Sequence, residues 1–137
     1  MKFMCNSVSD TYAVASRLAR KLNGGEIILL SGDMGAGKTT FTKGLAKALG
    51  ISEVVTSPTF TFMKSYTGRL TLYHYDMYRV TDSSELYELG LEEYLGAAGG
   101  VCVIEWNKFE NLKNTINITI GGAGDSPRRI DVEGIDL

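Results

Sequence analysis

Ile27-Ile28-Leu29-Leu30-Ser31-Gly32-Asp33-Met34-Gly35-Ala36-Gly37-Lys38-Thr39-Thr40-Phe41 is the stretch whose reading decides the fold. Four consecutive apolar residues suit a strand buried on both faces. Phe41, Leu45, Ala48 and Leu49 then recur at helical spacing until Gly50 stops them. Between the two, Gly32 to Thr39 matches G-x-x-x-x-G-K-[ST] in full. The glycines let the backbone fold into a nest of inward-pointing N–H groups. The helix that starts at Lys38 aims its positive end at the same spot. The spacing therefore predicts a phosphate-binding loop. In it Lys38 supplies a point charge and the Thr39 hydroxyl a ligand for Mg2+.

Working outward, Lys2 to Cys5 reads as a short strand, and Ser7 or Ser9 can cap a helix. That helix carries Val14, Ala15, Leu18, Ala19 and Leu22 on one face and ends at Asn23-Gly24-Gly25. Downstream, Thr59 to Met63 and Leu70 to Tyr75 alternate as strands do, with Tyr66-Thr67-Gly68-Arg69 as a hairpin turn. Asp82-Ser83-Ser84-Glu85 has capping-box form. Val101 to Ile104 is a continuous apolar run, as in a central strand. Thr115 to Ile120 and Arg129 to Val132 form a closing hairpin, and Gly121 to Pro127 reads as nothing more than its turn.

Composition narrows the function. The 137 residues suit one domain, with 44% apolar and 22% charged residues, as in ordinary globular chains. A formal net charge of −2 argues against a protein that grips nucleic acid through a basic field. The longest apolar runs are far below the roughly 20 residues of a membrane helix. Met1 to Asn6 turns polar too early for a signal peptide. Cys5 and Cys102 form no paired motif, which suggests a reduced, cytoplasmic setting. Gly is plentiful at 16 residues, against 2 Pro.

A phosphate site of this kind needs a carboxylate near Mg2+ at the end of a neighbouring strand. Asp76 follows one strand, and Glu105 follows Val101 to Ile104; both qualify. His74, the single histidine, lies two residues before Asp76 on the same strand face. It can orient Asp76, shuttle a proton, or simply pack in the core. Arg79 can reach a phosphate or a partner, or lie on the surface. Trp106 can cover a base or a partner surface, or anchor the core.

Several separated motifs agree with one another. Gly32 to Phe41, Thr56-Ser57-Pro58-Thr59-Phe60, His74-Tyr75-Asp76-Met77-Tyr78-Arg79 and Ile104-Glu105-Trp106 together resemble the TsaE (YjeE) family over nearly the whole chain. That family consists of small bacterial ATPases that act with TsaB and TsaD in making threonylcarbamoyladenosine beside the tRNA anticodon. The resemblance implies that Gly35, Ala36, Gly37, Lys38 and Thr39 hold ATP phosphates, with Thr40 lining the same loop. It implies Mg2+ on Thr39 and Glu105, and Asp76 as a switch-like acid that assists hydrolysis. Thr59 falls in a segment likened to a switch that senses the terminal phosphate. Trp106 and the strand near Arg129 are implied to lie close to the nucleotide, as is Thr11 in the first helix. Asn107 stands where many members have Pro, and Asn111-Leu112-Lys113 lacks the usual Leu-Pro pair.

The expectation is an α/β chain, residues 1–137 as a single domain. Its architecture is a P-loop NTPase-like three-layer sandwich with a mixed, largely parallel sheet and a C-terminal hairpin. The expected activity is slow ATP hydrolysis in a tRNA-modifying complex, with tRNA met only through the partner proteins and no membrane involved. Absence of an Asn-Lys-x-Asp motif favours ATP over GTP. A small P-loop kinase and a nucleotide-sensing binding module are the alternatives. The kinase lacks a spare segment of about 30 residues for a lid.

Overall fold

Ile27–Ser31 (β2) lies at the centre of a seven-stranded sheet, and every other element is best placed relative to it. The computed structural model of the chain describes residues 1–58 and 60–137. Lys2–Cys5 (β1) precedes a helix, Val8–Lys21 (α1), whose N-cap is Ser7: its hydroxyl accepts the Asp10 N–H at 3.1 Å. After β2 come Lys38–Ala48 (α2), Met63–Thr67 (β3) and Thr71–Asp76 (β4). A short helix, Ser84–Glu88 (α3), and a 3₁₀ turn at Leu91–Tyr94 lead to Gly100–Glu105 (β5). Ile116–Gly121 (β6) and Arg128–Glu133 (β7) complete the sheet.

The strand order is β1-β7-β6-β2-β5-β4-β3. The run β6-β2-β5-β4 is parallel, and both edges are antiparallel, so the sheet is mixed with a parallel centre. The four parallel strands therefore finish at one edge, where α/β sheets bind ligands.

Side-chain alternation explains the two cores. Val101 and Val103 of β5 join Ile28, Leu30, Leu18, Phe41 and Leu45 beneath α1 and α2. Cys102 and Ile104 point the other way and join Tyr75, Leu86, Leu91 and Phe109. This two-sided burial is why β5 reads as an unbroken apolar run. Helices thus cover both faces, giving three layers, although the second is thin.

Three local expectations shift. The strand expected over Thr59 to Met63 starts only at Met63; Thr59 itself lies outside the described residues. Phe60 to Phe62 instead form a turn, closed by the Phe62 N–H donating to the Pro58 carbonyl at 2.9 Å. Phe60 is 82% exposed, so apolar alternation there does not record burial. The hairpin bend falls at Gly68 to Leu70, later than expected, because Tyr66 and Thr67 still pair with Leu72 and Thr71. The capping box does not close: Glu85 accepts from the Thr81 hydroxyl at 2.7 Å, and Asp82 accepts the Ser84 N–H at 3.0 Å. The helix it starts runs for only 5 residues.

Candidate functional site

At the carboxyl edge, β2 runs out through Ser31 into the glycine loop, and α2 begins at Lys38. Gly37 caps that helix with φ 109, a left-handed conformation that glycine accepts without strain. Gly32 sits tight against β6: a Cβ there would lie 2.5 Å from the Ile120 carbonyl oxygen. Gly35, by contrast, would meet nothing within 4 Å, so this part of the loop faces open space.

Lys38 is buried, yet its partners are not carboxylates. Its Nζ donates to the Gly32 carbonyl at 2.6 Å and lies 3.9 Å from the centre of the Trp106 ring. A buried ammonium normally has a charged partner. Here it is held by one carbonyl and one aromatic face, so its charge is available to an anion in the loop.

Asp76 and Glu105 are register partners at the ends of the parallel strands β4 and β5. Asp76 is fixed through both oxygens: Oδ2 accepts the Ser57 hydroxyl at 2.8 Å and Oδ1 the Tyr78 N–H at 3.0 Å. Glu105 is held by His74 Nε2 at 2.7 Å. His74 thus serves Glu105, not Asp76, because a diagonal step across the register brings it closer to the neighbouring strand's acid. Trp106 follows with φ 54, unusual for a bulky residue and of a kind that gathers at functional sites. Its ring is partly exposed and edge-on to Tyr78 at 5.2 Å, so it walls a cavity and does not anchor the core.

That cavity, of about 450 Å³, brings together Gly35, Gly37, Lys38, Thr39, Thr40, Ser57, Asp76, Tyr78, Glu105 and Trp106, with Met34 at its rim. A second, of about 350 Å³, lies across the loop and includes Thr11, Gly35, Ala36, Gly37 and Thr40. Its far wall is the β6–β7 turn, with Gly124, Asp125, Ser126 and Arg128. The turn is therefore more than a connection. Because β6 pairs beside β2, its end arrives next to the loop. Arg128 lines the cavity, whereas the expected Arg129 does not; adjacent strand residues face opposite ways. The Arg128 guanidinium turns back onto the carbonyls of Ser126 and Gly124, at 2.6 and 3.1 Å. Arg79 lies on the surface over the Phe60 ring, outside both cavities. Ser57 and Tyr78 are among the residues that sequence reasoning left out of the site, with Met34 and the turn from Gly124 to Arg128. Ser57 was legible as part of the Thr-Ser-Pro-Thr-Phe motif, and Tyr78 as two residues beyond Asp76.

The glycine loop, the Lys38 ammonium held by a single carbonyl, and the positive end of α2 are a combination suited to an anion such as phosphate. Facing it, the Thr39 hydroxyl, Glu105 and Asp76 offer hard oxygen donors. Among the described residues no three His, Cys, Asp or Glu side chains gather into a metal cage. A small oxygen set suits Mg2+, which keeps water and phosphate oxygens in its shell. The departure at Asn107 is also accommodated: its amide makes a closed turn, accepting the Phe109 N–H at 3.0 Å and donating to the Phe109 carbonyl at 3.2 Å.

These features define a P-loop NTPase-like α/β protein with two acids facing its glycine loop. Residues 5–130 match the family model described as threonylcarbamoyl adenosine biosynthesis protein TsaE, and the chain belongs to that family. It is 46% identical over 134 residues to the tRNA threonylcarbamoyladenosine biosynthesis protein TsaE of Bacillus subtilis, covering 95% of this chain and 83% of that one. Identity to the protein of the same name from Treponema pallidum is 41% over 135 residues, covering 96% and 99%. The crystal structure of Bacillus subtilis YdiB superposes with a TM-score of 0.78 at 41% identity, covering 95% of this chain and 82% of that one. Among the described residues no helix is long and apolar enough to cross a membrane.

Proposed function

We propose that this chain is a Mg2+-dependent ATPase subunit that drives threonylcarbamoyladenosine formation on tRNA, acting with TsaB and TsaD in the cytoplasm. The family supplies the pathway. The observation that carries the enzymatic reading is one cavity in which Lys38 and the loop face Asp76 and Glu105.

In this reading the amides of Gly35 to Thr39 and the Lys38 ammonium bind the β- and γ-phosphates, and the ammonium leaves the Gly32 carbonyl to do so. Thr39 and Glu105 would hold Mg2+, which neutralises charge on the phosphate oxygens. Asp76 orients the attacking water and accepts its hydrogen bond; its own two contacts, to Ser57 and Tyr78, fix the carboxylate plane beforehand. Thr11, Arg128 and the β6–β7 turn form the wall for the nucleoside end. Catalysis is then mostly positioning of charge. Among the described residues no arginine lines the cavity with Glu105, so turnover by the chain alone is slow and partners accelerate it.

Reconstitution decides the matter. tRNA threonylcarbamoylation is measured with TsaB and TsaD, with and without this chain and ATP. Modification that needs both, and phosphate release that rises with the partners, is the expected result. Fast hydrolysis indifferent to the partners would refute it. The tie from Ser57 to Asp76 also suits a nucleotide sensor that selects a partner by its state. That reading prevails if Lys38→Ala and Asp76→Asn stop hydrolysis while tRNA modification continues.

A further inference from the structure

His74 has no contact with either cavity, yet it is fully buried and touches the acid assigned above to the metal. Its Nε2 lies 2.7 Å from Glu105 Oε2. Its Nδ1 is buried with no hydrogen-bond partner among the described residues. An ionised carboxylate only accepts hydrogen bonds, so the Nε2 carries the hydrogen. A buried Nδ1–H would be left unsatisfied, which favours the same tautomer. No other hydrogen bond to the Glu105 carboxylate is made among the described residues.

We propose that His74 is a positioning residue: its Nε2–H pins Glu105 Oε2 so that the other carboxylate oxygen is presented to a divalent cation at the cavity floor. The proposal rests on the reading of Glu105 as a metal ligand. The parallel register provides the geometry. Asp76 pairs with Glu105 and His74 with Val103, so His74 lies one step deeper on the same strand face as Asp76. From there it reaches Glu105 diagonally, beneath the cavity. An unpinned glutamate would exchange rotamers and present its oxygens in several directions. Groups that orient a metal-binding side chain commonly change metal affinity by about 10–100-fold when removed.

The test reads metal binding, not turnover. Mn2+ affinity is measured by electron paramagnetic resonance in the presence of ADP for the intact chain, His74→Asn, His74→Gln and Glu105→Gln. ADP affinity in EDTA is measured alongside. His74→Asn, whose amide is too short to reach Glu105, should weaken Mn2+ binding about 10–100-fold and leave metal-free ADP binding unchanged. His74→Gln, whose amide nitrogen can take the Nε2 position, should restore most of it. Weak Mn2+ binding in Glu105→Gln together with unchanged binding in His74→Asn overturns the proposal alone. Unchanged binding in Glu105→Gln overturns the metal reading itself. Should His74→Asn not fold, the single histidine of the unaltered chain provides the second measurement. Its ring ¹⁵N resonances should move on adding Mg2+ with ADP beyond the shift seen with ADP in EDTA. Coincident spectra would overturn the proposal.

Discussion

Gly44 sits where α1 and α2 cross, and replacing it with alanine sets two effects of opposite sign against each other. In a helix interior alanine is better than glycine by about 1 kcal/mol, so the isolated helix would gain. The crossing leaves no room for the methyl. A Cβ on Gly44 would lie 2.7 Å from Tyr12 Cδ1, 3.2 Å from Tyr12 Cα and 3.2 Å from Ala15 Cβ. The Tyr12 ring can swing aside, but the Tyr12 backbone and the buried Ala15 cannot. Overpacking of this kind costs roughly 1–3 kcal/mol. The steric cost exceeds the propensity gain, and the net loss is about 1 kcal/mol. For a chain of this size that lowers Tm by about 3–5 °C. Because α2 begins in the phosphate loop, its displacement should also weaken ADP binding. Differential scanning calorimetry of Gly44→Ala beside the unaltered chain gives the sign directly. A rise in Tm would show that the helices separate freely, and would refute the close-packed crossing as the feature that sets the loop.

Three further outcomes are expected. Lys38→Ala should lower ATP hydrolysis about 10²–10³-fold while circular dichroism stays native, since the lysine makes one carbonyl bond and a ring contact; phosphate release measures it. Asp76→Asn should lower kcat by at least about 10²-fold with little change in ADP affinity by calorimetry, because in the proposed reading it orients water and does not hold the nucleotide. Alkaline pH should destabilise the fold. Burial pushes the Cys102 thiol from 9.0 up to about 11, so between those values the native state holds a proton that the unfolded chain releases. Stability is full below pH 9 and falls towards pH 11, by at most about 1.4 kcal/mol per pH unit from this group. Burial also raises the Tyr75 hydroxyl and adds to the decline. Thermal melts across that range should be flatter for Cys102→Ala; parallel curves would count against the assignment.

The loop and both acids were legible in the sequence because each depends on local pattern. Ile27 to Thr39 carries its strand, turn and helix within a few residues, and Val101 to Glu105 announces a covered strand ending in an acid. What depended on the strand order was not legible. Nothing near Gly121 to Pro127 says that β6 will lie beside β2, yet that placement turns a plain bend into a cavity wall. The same holds for Arg128 against Arg129, which the pairing with β1 decides. The sequence leaves His74 open between orienting Asp76, shuttling a proton and packing in the core, since sequence neighbours are visible and the cross-strand diagonal to Glu105 is not. The Phe60 to Phe62 segment misled for another reason. Its apolar alternation belongs to a turn in which Phe60 is exposed and Phe62 packs partly against the second core, so the alternation does not mark a strand.

The position of β2 has a consequence for how the molecule is made. Its strand leaves the ribosome early, but both of its sheet neighbours, β5 and β6, are synthesised much later. β1 waits longer still, for β7. Until β5 has emerged, Glu105 is missing from the wall opposite the loop, and the apolar residues of β2 have no strand to pair with. Long-range pairing of this kind is slow and leaves apolar surface open in the meantime. The nascent chain is thus prone to aggregate while β2 is unpaired, and the cavity walls meet only after β5 and β6 are made.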